Sequence, residues 1–138
     1  MAMETWQGDA CSLVGAFRSG ERSPVEELAA TYDAIGASDL NAFCHLDREN
    51  AELAAARANV HLPFGGVPVG VKELDAMTGW PYTAASVPFK DRVAGYTSVN
   101  VERIRDRGGA VLVGQTTASE FGGVNVTRTV LHNTTHNP

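Results

Sequence analysis

Lys72 is the residue of this chain whose type and setting first suggest chemistry, because it closes the apolar run Val67-Pro68-Val69-Gly70-Val71. A lysine amine can accept a proton only when it is neutral, so a lysine base must have a pKa well below the ordinary value of about 10.4. Apolar surroundings disfavour the charged form, and Val69 and Val71 are expected to provide them. Taken alone, however, a lysine at a strand end is more often a solvated side chain.

Two hydroxyl side chains, Thr83 and Ser86, lie in a segment with the composition of a functional loop. Residues 75–96 are rich in Thr, Ala, Ser, Gly and Pro and lack helical or strand periodicity. Long loops in compact domains are often functional, so Thr83 and Ser86 could line a substrate pocket. Threonine and serine in turns also commonly bond to nearby backbone groups, and the pattern leaves both roles open.

The histidines and cysteines do not have the spacing of a metal site. His132 and His136 are four residues apart, but the asparagines and the proline beside them predict a turn, and no third ligand is evident. Cys11 and Cys44 form no CxxC pair, which is typical of reduced, packed thiols. The glycine pairs match neither of the phosphate-binding patterns GxGxxG and GxxxxGK[ST]. We therefore predict no metal and no cofactor.

The composition is that of a soluble globular domain and argues against several classes of partner. The chain has 138 residues, of which 43% are hydrophobic and 20% charged. Eleven Lys+Arg against 16 Asp+Glu give a formal charge of −5 without a basic cluster, which argues against nucleic acid and anionic membranes. The apolar runs are far shorter than the ~20 residues of a membrane-spanning helix. The N-terminus lacks the features of a secretory signal, so a cytoplasmic location is expected.

Residues 1–61 are predicted to be mostly helical. A first helix covers about residues 10–17, and Gly20 stands where a C-cap would. A second helix opens at Ser23-Pro24-Val25-Glu26, where an N-cap serine, a proline at the first helical position and a glutamate make a capping box. Gly36 is expected to end it. A short strand at 40–46 and an alanine-rich third helix, capped by Asp47 and reaching about residue 59, complete this part.

Residues 62–138 are predicted to begin an α/β core. A strand ending at Lys72 is followed by the long loop, an amphipathic helix from Thr97 or Ser98, and a second apolar strand at 110–114. A strand, a crossover helix and a second strand make a βαβ unit with parallel pairing. Thr116 or Thr117 is expected to cap a further helix that contains Ser119 and Glu120. The predicted fold class is α/β, with N-terminal helices followed by βαβ units of a mixed sheet covered by helices.

Four motifs together resemble those of the amidase signature family of serine amide hydrolases. Gly66-Val67-Pro68-Val69-Gly70-Val71-Lys72-Glu73 is similar to the family's strand ending in its catalytic lysine, and Thr83-Ala84-Ala85-Ser86 resembles its TTAGS loop. Gly114-Gln115-Thr116-Thr117-Ala118-Ser119-Glu120-Phe121 resembles its GKTN-x-x-EF segment, and Asn133-Thr134-Thr135-His136-Asn137-Pro138 looks like its G-x-T-x-NP turn. One such motif is weak evidence, whereas four in the family's order are strong.

Three residues differ from the family's usual motifs, and these differences affect the assignment to a subfamily rather than the assignment to the family. Glu73 stands where the family usually has aspartate, Gln115 where it often has lysine, and Thr117 where it often has asparagine. In the family, the NP turn leads into a Gly/Ser-rich segment that supplies a cis-peptide serine, the oxyanion-hole amides and then the serine nucleophile. Residues 1–138 contain none of these, so we expect them to be the N-terminal portion of a single, larger amidase domain.

The resemblance implies hydrolysis of a carboxamide C–N bond by a Ser–cis-Ser–Lys arrangement without a cofactor. Lys72 would accept a proton from the bridging serine, and Thr83 and Ser86 would be candidates for the acyl side of the pocket. The implied partners are a small-molecule amide and the remainder of the amidase polypeptide, and the sequence leaves open whether the protein forms a homodimer. Two alternatives stay open: an A-type subunit of a tRNA-dependent amidotransferase, which would need partner subunits, and a non-catalytic α/β interaction domain.

Overall fold

The computed structural model describes residues 3–138, which form two compact units. The first unit comprises residues 3–37, 47–69 and 102–113, and the second comprises 38–46, 70–101 and 114–138. No helix in the described part of the chain is long and apolar enough to cross a membrane. The elements in chain order are α1 (Ala10–Ser19), α2 (Pro24–Ala37), β1 (Phe43–Leu46), α3 (Arg48–Ala56), β2 (Pro68–Lys72), α4 (Val99–Glu102), β3 (Val111–Thr116), β4 (Arg128–Thr129) and β5 (Asn133–Thr134).

Local capping chemistry sets the end of the first helix and the start of the second, as predicted. Gly20 follows α1 with a left-handed φ of 77°, and its amide donates to the carbonyls of the last turn. The capping box is present at the start of α2: the Ser23 amide donates to Glu26 Oε2 at 2.7 Å, and the Glu26 amide donates to Ser23 Oγ at 3.2 Å. Gly36 does not end this helix, which runs to Ala37.

The core of the first unit forms where α1 packs on the chain that enters β2. Leu13, Val14 and Phe17 of α1 are buried together with Val67. Helix α2 packs against α3, and the Tyr32 hydroxyl of α2 donates to the carbonyl of Val113 at 2.9 Å. Burial of these aliphatic and aromatic side chains supplies about 1.5–3 kcal/mol each, so this unit is held together mainly by apolar packing.

Strands β1, β2 and β3 form a mixed sheet in the order β1-β3-β2. β1 runs antiparallel to β3. β2 runs parallel to β3, because the Val111 amide donates to Val67 and, further along both strands, the Glu73 amide donates to Thr116. The predicted α/β class and the predicted parallel βαβ unit are therefore confirmed. β4 and β5 make a separate two-stranded antiparallel hairpin.

Two predicted helices begin or end at other residues than the sequence indicated, and a third does not form. Asp47 precedes α3 but makes no side-chain cap bond; its carboxylate accepts from the Asn50 side chain, and α3 ends at Ala56. The crossover helix begins at Val99 and, after Glu102, continues as a π-helical turn. The predicted helix containing Ser119 and Glu120 is wrong: only a 3₁₀ turn, Glu120–Gly122, forms there, because Phe121 has a φ of 53° that no helix can continue.

Candidate functional site

Lys72 is the last residue of β2, and its side chain is exposed. Successive side chains of a strand point to opposite faces, so Val69 and Val71 lie on one face of β2, while Gly70 and Lys72 lie on the other. The expectation that these two valines surround the amine is therefore wrong, since only Val71 is buried and both face away from Lys72. Among the described residues the amine has no hydrogen-bond or ion-pair partner, which leaves it free to meet another group.

Glu73, the residue that follows Lys72, is at the centre of a buried polar network. Its side chain is 2% exposed, and it accepts hydrogen bonds from the Ala118 amide at 2.6 Å and from Thr83 Oγ1 at 3.3 Å. Its Oε2 also lies 2.9 Å from His132 Nε2. A buried carboxylate is tolerated only where donors or opposite charge compensate its lost hydration, and these three groups do so. Glu73 thereby ties the end of β2 to three other segments.

Thr83 and Ser86 are both buried, and their hydroxyls bond within the protein. Thr83 bonds to Glu73 and accepts the Ala85 amide at 3.1 Å, while Ser86 Oγ donates to Glu120 Oε1 at 2.6 Å. Only the bond between Thr83 and the Ala85 amide is of the turn-forming kind; the other two join side chains that are 10 and 34 residues apart. A role of either residue at the acyl side of a pocket stays a prediction.

The loop between Thr83 and Ser86 has a strained backbone. Ala84 and Ala85 have φ values of 49° and 57°, a left-handed region that costs a residue with a Cβ atom roughly 1–2 kcal/mol. The surrounding bonds hold this conformation, including the one from the Phe121 amide to the Ala84 carbonyl at 2.9 Å. Strain of this kind concentrates at functional sites, which makes this loop, together with Lys72 and Glu73, the best candidate region of the chain.

The residues that differ from the family's motifs form hydrogen bonds within the second unit. The buried Gln115 donates from Nε2 to the Pro81 carbonyl at 2.9 Å. Thr117 Oγ1 lies 2.6 Å from Thr135 Oγ1, and Thr135 Oγ1 donates to the Asn41 carbonyl at 2.9 Å. The third departure is Glu73 itself. These substitutions have hydrogen-bond partners that fit them, and none bonds to the Lys72 amine.

Cys44 and His132 were not identified as site residues from the sequence, yet both lie beside Glu73. Burial raises the pKa of the Cys44 thiol to about 12, and the negative charge of Glu73 acts in the same direction. The two histidines with suggestive spacing are not brought together: His132 faces Glu73, whereas His136 is exposed. Nothing in the local sequence around either residue could have indicated a partner so far away along the chain.

Comparison with known proteins assigns this arrangement to a family. The family model described as Amidase matches residues 26–138. The A-type subunit of the glutamyl-tRNA(Gln) amidotransferase of Salinispora tropica is 39% identical over 94% of this chain and 28% of its own length. An acylamidase of Rhodococcus erythropolis is 32% identical over 94% of this chain and 29% of its own length. The chain thus spans less than a third of the length of these relatives.

Solved structures agree with the sequence relatives. A 6-aminohexanoate cyclic dimer hydrolase is similar with a TM-score of 0.85 and 28% identity, over 94% of this chain and 27% of that one. A bacterial aryl acylamidase described as an amidase signature enzyme has a TM-score of 0.84 and 26% identity, over 94% of this chain and 29% of that one. With the family model over residues 26–138 and these relatives in agreement, the chain belongs to the amidase signature family.

Proposed function

We propose that residues 1–138 are the N-terminal part of an amidase domain that hydrolyses a carboxamide C–N bond, with Lys72 as its base. The observation that carries the proposal is the exposed amine at the end of β2, which has no hydrogen-bond or ion-pair partner among residues 3–138, in a chain of this family. Two serines, one of them in a cis peptide, would complete the site from segments outside residues 1–138. The substrate would be a small-molecule amide, no cofactor would take part, and the enzyme would act in the cytoplasm.

The chemistry assigns Lys72 the proton transfers. Hydrolysis of an amide needs a nucleophile, a base to take its proton, a stabiliser for the oxyanion and an acid for the leaving amine. In this scheme a neutral Lys72 takes a proton from the bridging serine while that serine takes one from the nucleophilic serine. The same relay then returns a proton to the leaving amine. The apolar cover that a neutral amine requires would come from the remainder of the polypeptide.

Substitution of Lys72 in the intact protein tests this role. Lys72→Ala should lower kcat for hydrolysis of an acyl anilide or a simple carboxamide by several orders of magnitude, because the relay loses its proton acceptor. Lys72→Arg should be almost as inactive, since a guanidinium stays charged. The chain contains one other lysine, the exposed Lys90, and Lys90→Ala is the matched control. Near-wild-type hydrolysis by Lys72→Ala would overturn the assignment.

A second candidate function is that of an A-type subunit in a tRNA-dependent amidotransferase. The specific observation in its favour is the 39% identity to the corresponding subunit of a glutamyl-tRNA(Gln) amidotransferase. The sequence GQTT at residues 114–117, where the family more commonly has GKTN, argues against this function. This function predicts stable co-purification with partner subunits and glutamine-dependent amidation of glutamyl-tRNA(Gln), whereas the amidase acts alone. An intact protein with neither activity would instead favour the non-catalytic interaction domain.

A further inference from the structure

Three potential metal ligands from distant parts of the sequence meet in the second unit. Cys44 lies in β1, Glu73 directly follows β2, and His132 lies in the hairpin of β4 and β5. The thiol sulphur, a carboxylate oxygen and an imidazole nitrogen all lie within 4.8 Å of one another. In the part of the chain that the structure describes, no other set of three such side chains converges in this way.

The donor set matches the preferences of one ion. Thiolate, imidazole and carboxylate together are ligands of Zn²⁺, which tolerates mixed sulphur, nitrogen and oxygen coordination. A deprotonated Cys44 and Glu73 would bring two negative charges to a dication, so the occupied site would be neutral and its burial would carry little electrostatic cost. We propose that Cys44, Glu73 and His132 form a Zn²⁺ site with three protein ligands and one open position.

The donor atoms, which now lie within 4.8 Å of one another, would shift by up to roughly 1 Å to surround the ion. Zinc bonds of about 2.3 Å to sulphur and about 2.0–2.2 Å to nitrogen and oxygen, in a tetrahedron, place the donor atoms roughly 3.3–3.6 Å apart. Glu73 Oε2 and His132 Nε2 are now 2.9 Å apart and would separate slightly to admit the ion. The His132 side chain is 19% exposed, which provides a route of entry from solvent.

The surroundings of Glu73 supply the outer hydrogen bonds that a metal-bound carboxylate needs. The Ala118 amide occupies Oε1 at 2.6 Å, which leaves Oε2 as the coordinating oxygen. Thr83 Oγ1, 3.3 Å from Oε2, would orient that oxygen towards the ion. Partners of this kind fix the ligand and commonly change metal affinity by about 10–100-fold when removed.

Binding of Zn²⁺ would release one proton and break one hydrogen bond of the metal-free site. Zn²⁺ bonds to the Cys44 sulphur, whose proton is released to solvent, and it replaces the hydrogen bond between Glu73 and His132. Apparent affinity should therefore rise with pH. The ion would join β1, the end of β2 and the hairpin, and so fix the backbone beside Lys72. The proposal stands on these three residues and does not depend on the catalytic role of Lys72.

Cobalt titration of the intact protein tests the site directly. The protein is stripped with a chelator and titrated with Co²⁺, and Zn²⁺ is then added as the competitor. We expect one equivalent of Co²⁺ to produce a thiolate-to-cobalt charge-transfer band that Zn²⁺ abolishes. Cys44→Ser should remove that band, His132→Gln should weaken binding at least tenfold, and Thr83→Val should weaken it about 10–100-fold.

Two matched controls separate this site from other ligands in the protein. Cys11 and His136 are exposed, and Cys11→Ser and His136→Gln should leave the band and the affinity unchanged. A wild-type protein that shows no charge-transfer band at stoichiometric Co²⁺ would overturn the proposal, whether or not the variants fold. A band that survives in a folded Cys44→Ser protein would overturn it as well.

Discussion

Replacing Glu73 with alanine should destabilise the protein far more than the loss of an ordinary surface carboxylate. Two donors would lose their acceptor: the amide of Ala118, which is 0% exposed, and the hydroxyl of Thr83, which is 6% exposed. An unsatisfied buried donor costs about 1–3 kcal/mol, and the contact with His132 is lost in addition. At about 2 kcal/mol for each of the two donors, the expected decrease in the free energy of unfolding is about 4 kcal/mol.

Urea unfolding of the intact protein, with two companion variants, measures this effect. Glu73→Gln keeps the shape and an oxygen for the Ala118 amide, so its cost should be only about 1–2 kcal/mol. Asp106→Ala removes a carboxylate that pairs with Arg105 but is 49% exposed, against 2% for Glu73, and it should cost at most ~1 kcal/mol. If Glu73→Ala and Asp106→Ala destabilise the protein equally, the argument from burial is refuted.

Two further predictions concern the Cys44 thiol and two glycines. In the metal-free protein, where burial raises the pKa of Cys44 to about 12, its thiolate fraction at pH 8 is about 10⁻⁴, so iodoacetamide should alkylate it on the order of 10³ times more slowly than free cysteine. Peptide mass spectrometry gives this rate, and a ratio below about ten would contradict the burial. The unfolded chain releases this proton first, so the contribution of Cys44 to stability is complete below about pH 8.5 and is lost as pH rises towards 12. Gly114→Ala should cost about 3 kcal/mol, because its Cβ would lie 2.1 Å from the His45 carbonyl oxygen, whereas Gly36→Ala, with nothing within 4 Å, should gain about 0.5–1 kcal/mol. Thermal unfolding should lower the midpoint for the first and raise it for the second; equal midpoints would refute the contrast.

The elements that the sequence predicted well depend on interactions between close neighbours. The capping box of α2 joins residues three positions apart, and the left-handed glycine at the end of α1 bonds within its own last turn. The apolar composition of the runs that became β2 and β3 indicated strands; β3 is buried over most of its length, whereas Val71 is the buried residue of β2. The family was also readable, because the motif around Lys72 and those that follow it are contiguous in sequence, and the Amidase family model spans them all.

The predictions that failed depended on contacts the local sequence does not contain. The expected helix after Thr117 was replaced by a 3₁₀ turn in which the Phe121 amide donates to Ala84, a residue of a distant loop. The valines beside Lys72 were expected to enclose it, but strand alternation places them on the opposite face. A tertiary contact decided the first case and the alternation of side chains along the strand decided the second. Neither follows from the residue composition on which the two predictions were based.

The sequence by itself determined the cap at the end of α1, the capping box of α2, the α/β class, the family and the position of Lys72 at a strand end. Only the tertiary structure decided what surrounds Glu73: its partners Thr83, Ala118 and His132 lie 10, 45 and 59 residues along the chain. The physical reason is that the hydrogen-bond donors around the buried carboxylate are brought there by the pairing of β2 with β3 and by the folding of the loops. These partners are distant in sequence, so neither hydrophobic periodicity nor local residue spacing could predict them.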